Sequence, residues 1–141
     1  MNKSNIKVIV MSYQDLLRCR SLYNNLSIHI LITSEINDYF DFGHTHYTKL
    51  SILDTDNPKI RNGDVYRLQN FIGKLKDDIE LGVSIKTIYV CCDAGIRRSP
   101  ALALYICSRL GLDEQAKQII NKCRFLHQKL YDNLCKLNLE I

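Results

Sequence analysis

The sequence lacks the features that mark a secreted, membrane-spanning or zinc-binding protein. Its only early apolar run, residues 6–11, is too short for the core of a signal peptide or for a membrane span. No two of its cysteines form a Cys-x-x-Cys pair, which disfavours a zinc site. We therefore expect reduced thiols, a cytoplasmic protein, and no metal or other cofactor. The six cysteines are Cys19, Cys91, Cys92, Cys107, Cys123 and Cys135.

The chain also contains no internal repeat, no low-complexity segment and no linker composition. Its 141 residues, 46% apolar and 24% charged, have the composition of a globular protein and are numerous enough to bury a core. We therefore predict one domain, residues 1–141. The net charge of +4 suits anionic substrates but does not by itself indicate nucleic acid. We expect neither a nucleic-acid nor a membrane partner, and no feature specifies an oligomeric state.

Segments of strand and helix character alternate along the chain. The first strand, helix and strand predict a β-α-β unit with parallel strands, and Ser12 is placed to cap the first helix. The apolar run 86–92 is typical of a central strand buried on both faces. We predict an α/β fold with a central, mostly parallel sheet of about four strands flanked by helices. The predicted strands are residues 6–11, 27–33, 47–53 and 86–92, and the predicted helices are residues 13–24, 63–82, 100–110, 113–121 and 127–137.

Residues 88–100 read as a strand, a short loop with one glycine, and the start of a long helix. A loop wrapped onto a helix N-terminus makes a cradle for an anion such as phosphate, because the first N–H groups of a helix are unpaired. Cys92 lies at the mouth of this cradle, where the helix end and Arg98 both favour the thiolate. Five residues separate Cys92 from Arg98, and the guanidinium of Arg98 can grip two phosphate oxygens at once. We name residues 92–98 the anion loop.

The run from Cys92 to Ala101, Cys-Asp-Ala-Gly-Ile-Arg-Arg-Ser-Pro-Ala, resembles the signature loop of cysteine-dependent protein tyrosine and dual-specificity phosphatases, above all that of small bacterial and phage-type members. Rhodanese-type and other sulfur enzymes also place a cysteine in a loop before a helix. Gly95, three residues after the cysteine, and Ser99, directly after the arginine, favour the phosphatases.

The resemblance implies a single-domain phosphatase fold, phosphorylated protein or peptide substrates, and a phosphate or other oxyanion in the active site. It implies hydrolysis through a phosphocysteine on Cys92, with Ser99 bonded to the sulfur and an aspartate as general acid. Asp54, at the predicted exit of a strand, is the favoured acid, and Asp56 is the alternative. The phosphate would be held by the loop residues Asp93, Ala94, Gly95, Ile96, Arg97 and Arg98.

Three other functions remain open at this point. The chain could be an inactive phosphate- or phosphoprotein-binding module of the same fold, or a phosphatase that acts on phosphate monoesters other than proteins. It could also be an enzyme that handles sulfur or arsenate with a similar loop.

The sequence departs from the family pattern at two positions. Cys91 precedes the nucleophile where histidine is common; we expect it to pack away from the pocket, although an adjacent thiol could capture an oxidised Cys92. Arg97 occupies a place often held by a small residue, where it adds positive charge at the rim and could recruit a second anionic group. Asp93 occupies a position where lipid-phosphate phosphatases have a basic residue, which favours phosphoprotein over phosphoinositide substrates.

The histidines and the loop glycine carry further expectations. His29 reads as a core or edge residue of a strand. His44 and His46 share a strand face but have no accompanying cysteine or carboxylate pattern, so we do not interpret them as a metal pair. Gly95 is expected to adopt a positive φ, because the loop amides must turn inward.

Overall fold

The computed structural model describes residues 3–19, 25–35, 43 and 45–141, and this part of the chain forms four strands and five α-helices after a short 3-10 turn at Lys3–Asn5. None of the described helices combines the length and the apolar character needed to cross a bilayer. The strands are β1 (Lys7–Ser12), β2 (Ile28–Thr33), β3 (His46–Leu50) and β4 (Thr87–Cys92). The helices are α1 (Tyr13–Arg18), α2 (Asn62–Glu80), α3 (Arg98–Leu110), α4 (Asp113–Lys122) and α5 (Gln128–Cys135).

The four strands form one parallel sheet in the order β1-β4-β2-β3, which confirms the predicted α/β architecture. β4 lies between β1 and β2, so the strands of the predicted β-α-β unit are parallel but are not neighbours. Val90 of β4 pairs with Val10 on one side and with Leu31 on the other. The strand that ends at Cys92 is therefore held on both edges, which fixes the start of the anion loop.

Side chains of β4 alternate between two apolar clusters, one on each face of the sheet. Ile88 and Val90 belong to a large cluster with residues of α2, α3, α4 and α5. Cys91 belongs to a smaller cluster with Tyr13 and Leu16 of α1 and with residues of β2. Cys91 is fully buried there, as the alternation predicts, and this burial, with the charges of Cys92 and Asp93 as smaller causes, raises the pKa of its thiol far above the ordinary value.

Four predicted elements end earlier than their sequence pattern indicates, two of them, α2 and α5, by only two residues. α1 ends at Arg18 with Cys19 as its C-cap, and the rest of the predicted helix, residues 20–24, lies outside the described residues. β3 ends at Leu50 and not at Leu53, because the backbone N–H of Ser51 donates to the Asp64 carboxylate at 2.8 Å instead of continuing the ladder. Asp54 is therefore not at the strand exit but four residues beyond it.

The helix ends follow the sequence signals more closely. Ser12 caps α1 by accepting from the N–H of Asp15 at 3.1 Å, as predicted. Gly111 ends α3 in the left-handed region at φ 71°, the conformation that glycine adopts without strain.

His29 is a core residue of β2, 1% exposed. His46 of β3 stacks on it with ring centroids 4.9 Å apart, whereas His44 lies outside the described residues. Among the described residues, no side chain accepts a hydrogen bond from His29 Nε2, and the nearest carboxylate, that of Asp78, is 4.0 Å away. Burial, with the neighbouring His46 as the next cause, lowers the pKa of His29 from 6.5 to about 4. No group of three or more His, Cys, Asp or Glu side chains in the described ranges is placed to hold a metal ion.

The buried His29 predicts that the fold loses stability in mild acid. Its folded-state pKa lies below its unfolded value, so between pH 6.5 and about 4 the unfolded chain binds a proton that the folded chain excludes. Above pH 6.5 the protonation of His29 does not reduce the free energy of unfolding. As the pH drops through this window, the free energy of unfolding falls by roughly 3 kcal/mol. Urea unfolding of the protein and of His29→Phe at pH 7 and pH 4.5 measures it. An equal loss in both proteins would contradict the assignment.

Candidate active site

The anion loop leaves the end of β4 and enters α3 with the sulfur of Cys92 at its centre. The backbone N–H of Gly95 lies 3.2 Å from Sγ, the backbone N–H of Ser99 lies 3.4 Å away, and the Ser99 hydroxyl lies 3.2 Å away. The two N–H groups donate to the sulfur, and the Ser99 hydroxyl lies within hydrogen-bond distance of it. Cys92 is only 2% exposed. Two fixed amide dipoles and a hydroxyl at the N-terminus of α3 are placed to stabilise a negative charge on the sulfur.

Gly95 allows the loop to turn its amides inward. Its φ is +72°, and a Cβ at this position would lie 2.6 Å from the backbone nitrogen of Ser12 and 2.7 Å from the carbonyl carbon of Met11. Any side chain would therefore meet the backbone at the end of β1, which cannot give way without disturbing the sheet. The position needs glycine for its conformation and for its close approach.

Arg98 is anchored on two sides and is 3% exposed. Its Nη1 donates to the carbonyl of Ile52 at 2.8 Å, and its Nη2 donates to the Asp93 carboxylate at 3.2 Å. Among the described residues, nothing accepts a hydrogen bond from its buried Nε. The guanidinium is thus held in one orientation, and N–H groups beyond these two bonds are left for a bound oxyanion.

Asp93 connects the anion loop to the end of β2. Its carboxylate accepts from the Ser34 hydroxyl, from the Glu35 backbone N–H at 3.4 Å and from Arg98. Partial burial alone would raise the pKa of Asp93, but the bonds from Ser34, Glu35 and Arg98 outweigh it, and the net pKa lies below the usual value. Asp93 is therefore a carboxylate that orients the arginine, a function that its sequence position does not reveal.

Asp54 belongs to the segment 54–58, which we name the acid loop. It lines the same cleft as Cys92, and its carboxylate lies 3.7 Å from Arg97 Nε. Asp56 does not line the cleft, so the geometry favours Asp54 of the two candidates. The acid loop reaches the cleft from beyond the end of β3, and not directly from the strand end as the sequence predicts.

The cleft above the sulfur has a volume of about 430 Å³ and gathers nearly all the predicted site residues. Of these, only Gly95 and Ser99 do not line it, and both contact the sulfur through their backbone N–H groups. One lining residue, Glu35, was not predicted; its carboxylate lies 3.8 Å from Arg98 Nη1 and 3.4 Å from the backbone nitrogen of Asp54. The lining residues are Glu35, Asp54, Cys92, Asp93, Ala94, Ile96, Arg97 and Arg98.

One cleft brings together a cysteine sulfur, an arginine and a carboxyl group. The sulfur of Cys92 is contacted by two backbone N–H groups, and Arg98 is an oriented cation in the same cleft. Asp54 adds a carboxyl group to the lining. Together these groups fit nucleophilic attack on a tetrahedral anion followed by protonation of the leaving group.

Several solved structures with the same architecture are named as phosphatases. Phosphatase PTP-2 of Cydia pomonella matches 92% of this chain and 84% of its own, with a TM-score of 0.58 and 22% identity. Tk-PTP in its active form matches 97% of this chain and 93% of its own, with a TM-score of 0.60 and 16% identity. DUSP15 matches 94% of this chain and 89% of its own, with a TM-score of 0.60 and 17% identity.

No protein-family model matches the sequence, and no curated protein is similar enough in sequence to count as a relative. The likeness is therefore one of three-dimensional structure, and at these identities it establishes the fold. The chain adopts the fold of the protein tyrosine and dual-specificity phosphatases.

Proposed function

We propose that the chain, residues 1–141, is a phosphoprotein phosphatase of the tyrosine or dual-specificity type that works through a phosphocysteine intermediate. The observation that carries the proposal is the environment of Cys92: three donors within 3.4 Å of its sulfur and an anchored Arg98 beside the same cleft. A neutral thiol packed in the core does not need hydrogen-bond donors around its sulfur, whereas a thiolate nucleophile does.

The first half of the reaction transfers the phosphoryl group to sulfur. The Cys92 thiolate attacks phosphorus, so that an S–P bond forms and the bond from phosphorus to the leaving oxygen breaks. Protonated Asp54 gives its proton to that oxygen and leaves as a carboxylate. The loop amides and Arg98 meet the charge on the three remaining oxygens, which is the electrostatic stabilisation that dominates phosphoryl transfer.

The second half returns the enzyme to its starting state. The Asp54 carboxylate takes a proton from a water molecule as the water oxygen attacks phosphorus, and the S–P bond breaks. The electron pair returns to Cys92 as a thiolate, which the Ser99 hydroxyl stabilises from 3.2 Å. Inorganic phosphate leaves, and the general acid is protonated again.

The charges around the cleft favour a substrate with a single phosphate. Asp93 and Glu35 place carboxylates in the wall beside Arg98, with side chains 30% and 53% exposed. These negative charges would repel additional phosphate groups, such as those of a phosphoinositide headgroup. Repulsion between like charges would therefore weaken the binding of such a substrate. A phosphorylated side chain of a protein or peptide carries no such extra charge. A cytoplasmic location suits a nucleophile that must stay reduced.

Steady-state phosphate release from para-nitrophenyl phosphate and from phosphotyrosyl and phosphoseryl peptides tests the proposal. We expect turnover of the aryl phosphate and of at least one peptide class, with inositol phosphates poorer substrates. Tight binding of phosphate without turnover would point to a binding module instead. A thiosulfate or arsenate activity that exceeds phosphate release would assign the loop to sulfur or arsenate chemistry.

Ser99→Ala is expected to slow the second half of the reaction more than the first. The hydroxyl stabilises the sulfur as it leaves phosphorus, and the loss of a hydrogen bond to a charged group corresponds to about a 10- to 100-fold drop in kcat. The phosphoenzyme then accumulates, and rapid mixing shows a burst of para-nitrophenol. Ser108→Ala, an exposed serine on the same helix, is the matched control. A lower kcat without a burst would contradict the role of Ser99.

A further inference from the structure

His127 is a buried residue, 4% exposed, that the sequence identifies only as the start of the last helix. It follows α4 and is the N-cap of α5. It does not line the cleft and has no part in the reaction described above. Its hydrogen bonds nevertheless reach both walls of that cleft.

The hydrogen bonds of His127 define the protonation of its ring. The backbone N–H of Leu130 donates to Nδ1 at 3.2 Å, so Nδ1 carries no hydrogen. Nε2 then holds the ring proton and donates it to the carbonyl of Thr55 at 2.6 Å. The backbone N–H of His127 donates to the carbonyl of Arg97 at 3.0 Å. His127 thereby makes three hydrogen bonds, two through its ring and one through its backbone N–H.

These bonds join the acid loop to the anion loop. Thr55 directly follows Asp54, and Arg97 directly precedes Arg98. A second bond from α5, donated by Asn133 Nδ2, reaches the carbonyl of Pro58 at 3.1 Å at the other end of the acid loop.

The acid loop has little packing of its own to hold it. Residues 54–57 are all exposed, and the loop follows a strand that ended at Leu50. The ion pair between Asp54 and Arg97 is also partly exposed, and pairs of that kind contribute little. Apart from the buried Pro58 and the 3.4 Å bond from the Asp54 backbone N–H to the exposed Glu35 carboxylate, the bonds to His127 and Asn133 hold this segment in place.

We infer that His127 is a positioning residue that holds the Asp54 carboxyl over the phosphate site. The inference rests on the proposed phosphatase reaction and adds α5 to the machinery of proton transfer. A general acid displaced by about 1 Å can lose on the order of 10²-fold in rate. His127 prevents that displacement by tying the acid loop to the backbone of the anion loop.

His127→Asn separates this function from helix capping. An asparagine Oδ1 occupies about the place of Nδ1 and is a favoured N-cap, so it keeps the bond from Leu130 and the start of α5. The shorter side chain does not extend to the Thr55 carbonyl, so the tie to the acid loop is lost. Gln128→Ala, an exposed neighbour on α5 that bonds only Asp132, is the matched control.

The readout is the dependence of kcat/KM on the leaving group, because kcat/KM reports the first half of the reaction and not the second half, in which Asp54 acts as a base. Phenoxide is a poor leaving group and needs a proton from Asp54, whereas 2,4-dinitrophenoxide leaves without one. We expect His127→Asn to lower kcat/KM for phenyl phosphate by about 10- to 100-fold and for 2,4-dinitrophenyl phosphate by less than about 3-fold. Asp54→Asn should show the same pattern at larger amplitude. The double variant should be no slower than Asp54→Asn alone, because the acid that His127 positions is then absent.

The outcomes separate the two proposals. A leaving-group dependence in Asp54→Asn but not in His127→Asn would overturn the positioning role and leave the phosphatase reaction intact. An equal loss on both substrates in His127→Asn would also overturn it, because that pattern indicates general damage. No turnover of either substrate by the wild-type protein would overturn both proposals.

Discussion

Replacing Cys92 with serine is expected to lower the turnover of para-nitrophenyl phosphate by about 10⁴-fold or more. A hydroxyl stays protonated at neutral pH, and none of the described groups around Sγ is a base that could activate it: the contacts are two backbone N–H groups and the Ser99 hydroxyl. The oxyanion cradle itself is unchanged, so binding of inorganic phosphate should persist. Steady-state kinetics and calorimetric titration with phosphate measure the two effects.

Cys135→Ser provides the control, because Cys135 is an exposed cysteine at the end of α5. It should retain the wild-type rate. Residual activity of Cys92→Ser within about 10-fold of the wild type would show that the sulfur is not the nucleophile.

Replacing Arg98 with lysine is expected to lower kcat by about 10²- to 10³-fold and to weaken phosphate binding. The charge is conserved, but one ammonium group cannot bond the Ile52 carbonyl and the Asp93 carboxylate and also present a planar pair of donors to phosphate. The buried Ile52 carbonyl loses one of its two hydrogen bonds and keeps the one that the Thr33 hydroxyl donates at 3.1 Å, so the free energy of unfolding should fall by about 1 kcal/mol. Kinetics and urea unfolding measure both consequences.

Arg109→Lys is the matched substitution on the same helix, at an exposed position near its C-terminal end. It should change neither quantity. Near-normal kcat in Arg98→Lys would mean that a point charge suffices and that the two-sided anchoring of the guanidinium has no catalytic purpose.

The sequence predicted the sheet, the helices behind it and the loop between them because these depend on local signals. An apolar strand, an inward-turning glycine and a helix start are consecutive at residues 88–100, and the structure places them as expected. The order of the strands in the sheet could not be predicted in this way. β4 inserts between β1 and β2, and no local pattern indicates which parallel strands are neighbours.

The end of β3 and the site contacts that depend on it could not be predicted from local patterns. Ser51 bonds to Asp64, thirteen residues away, and Ile52 offers its carbonyl to Arg98, forty-six residues away. Alternation along residues 47–53 fits a longer strand equally well. Only the folded structure shows that β3 ends at Leu50, which leaves the carbonyl of Ile52 to accept a hydrogen bond from Arg98.

The sequence did not identify Glu35 or His127 as site residues. Both belong to the site through contacts with residues that are distant in the sequence, and neither is part of a motif. Glu35 follows β2 in a polar turn, and its carboxylate meets Arg98 only because β2 and β4 are adjacent. The sequence pattern places His127 at the start of a helix, and the structure shows that it is the N-cap of α5. The bonds to Thr55 and Arg97, however, join segments that are far apart in the chain.

The most direct test of the account is to trap the covalent intermediate. Mixing the protein with a good phosphate monoester, quenching in acid within milliseconds and mapping the peptides by mass spectrometry should find one phosphoryl group on Cys92, with more of it in Ser99→Ala and none in Cys92→Ser. Phosphate release with no phosphoryl group on Cys92 in any of these proteins, or with the group on another residue, would contradict it.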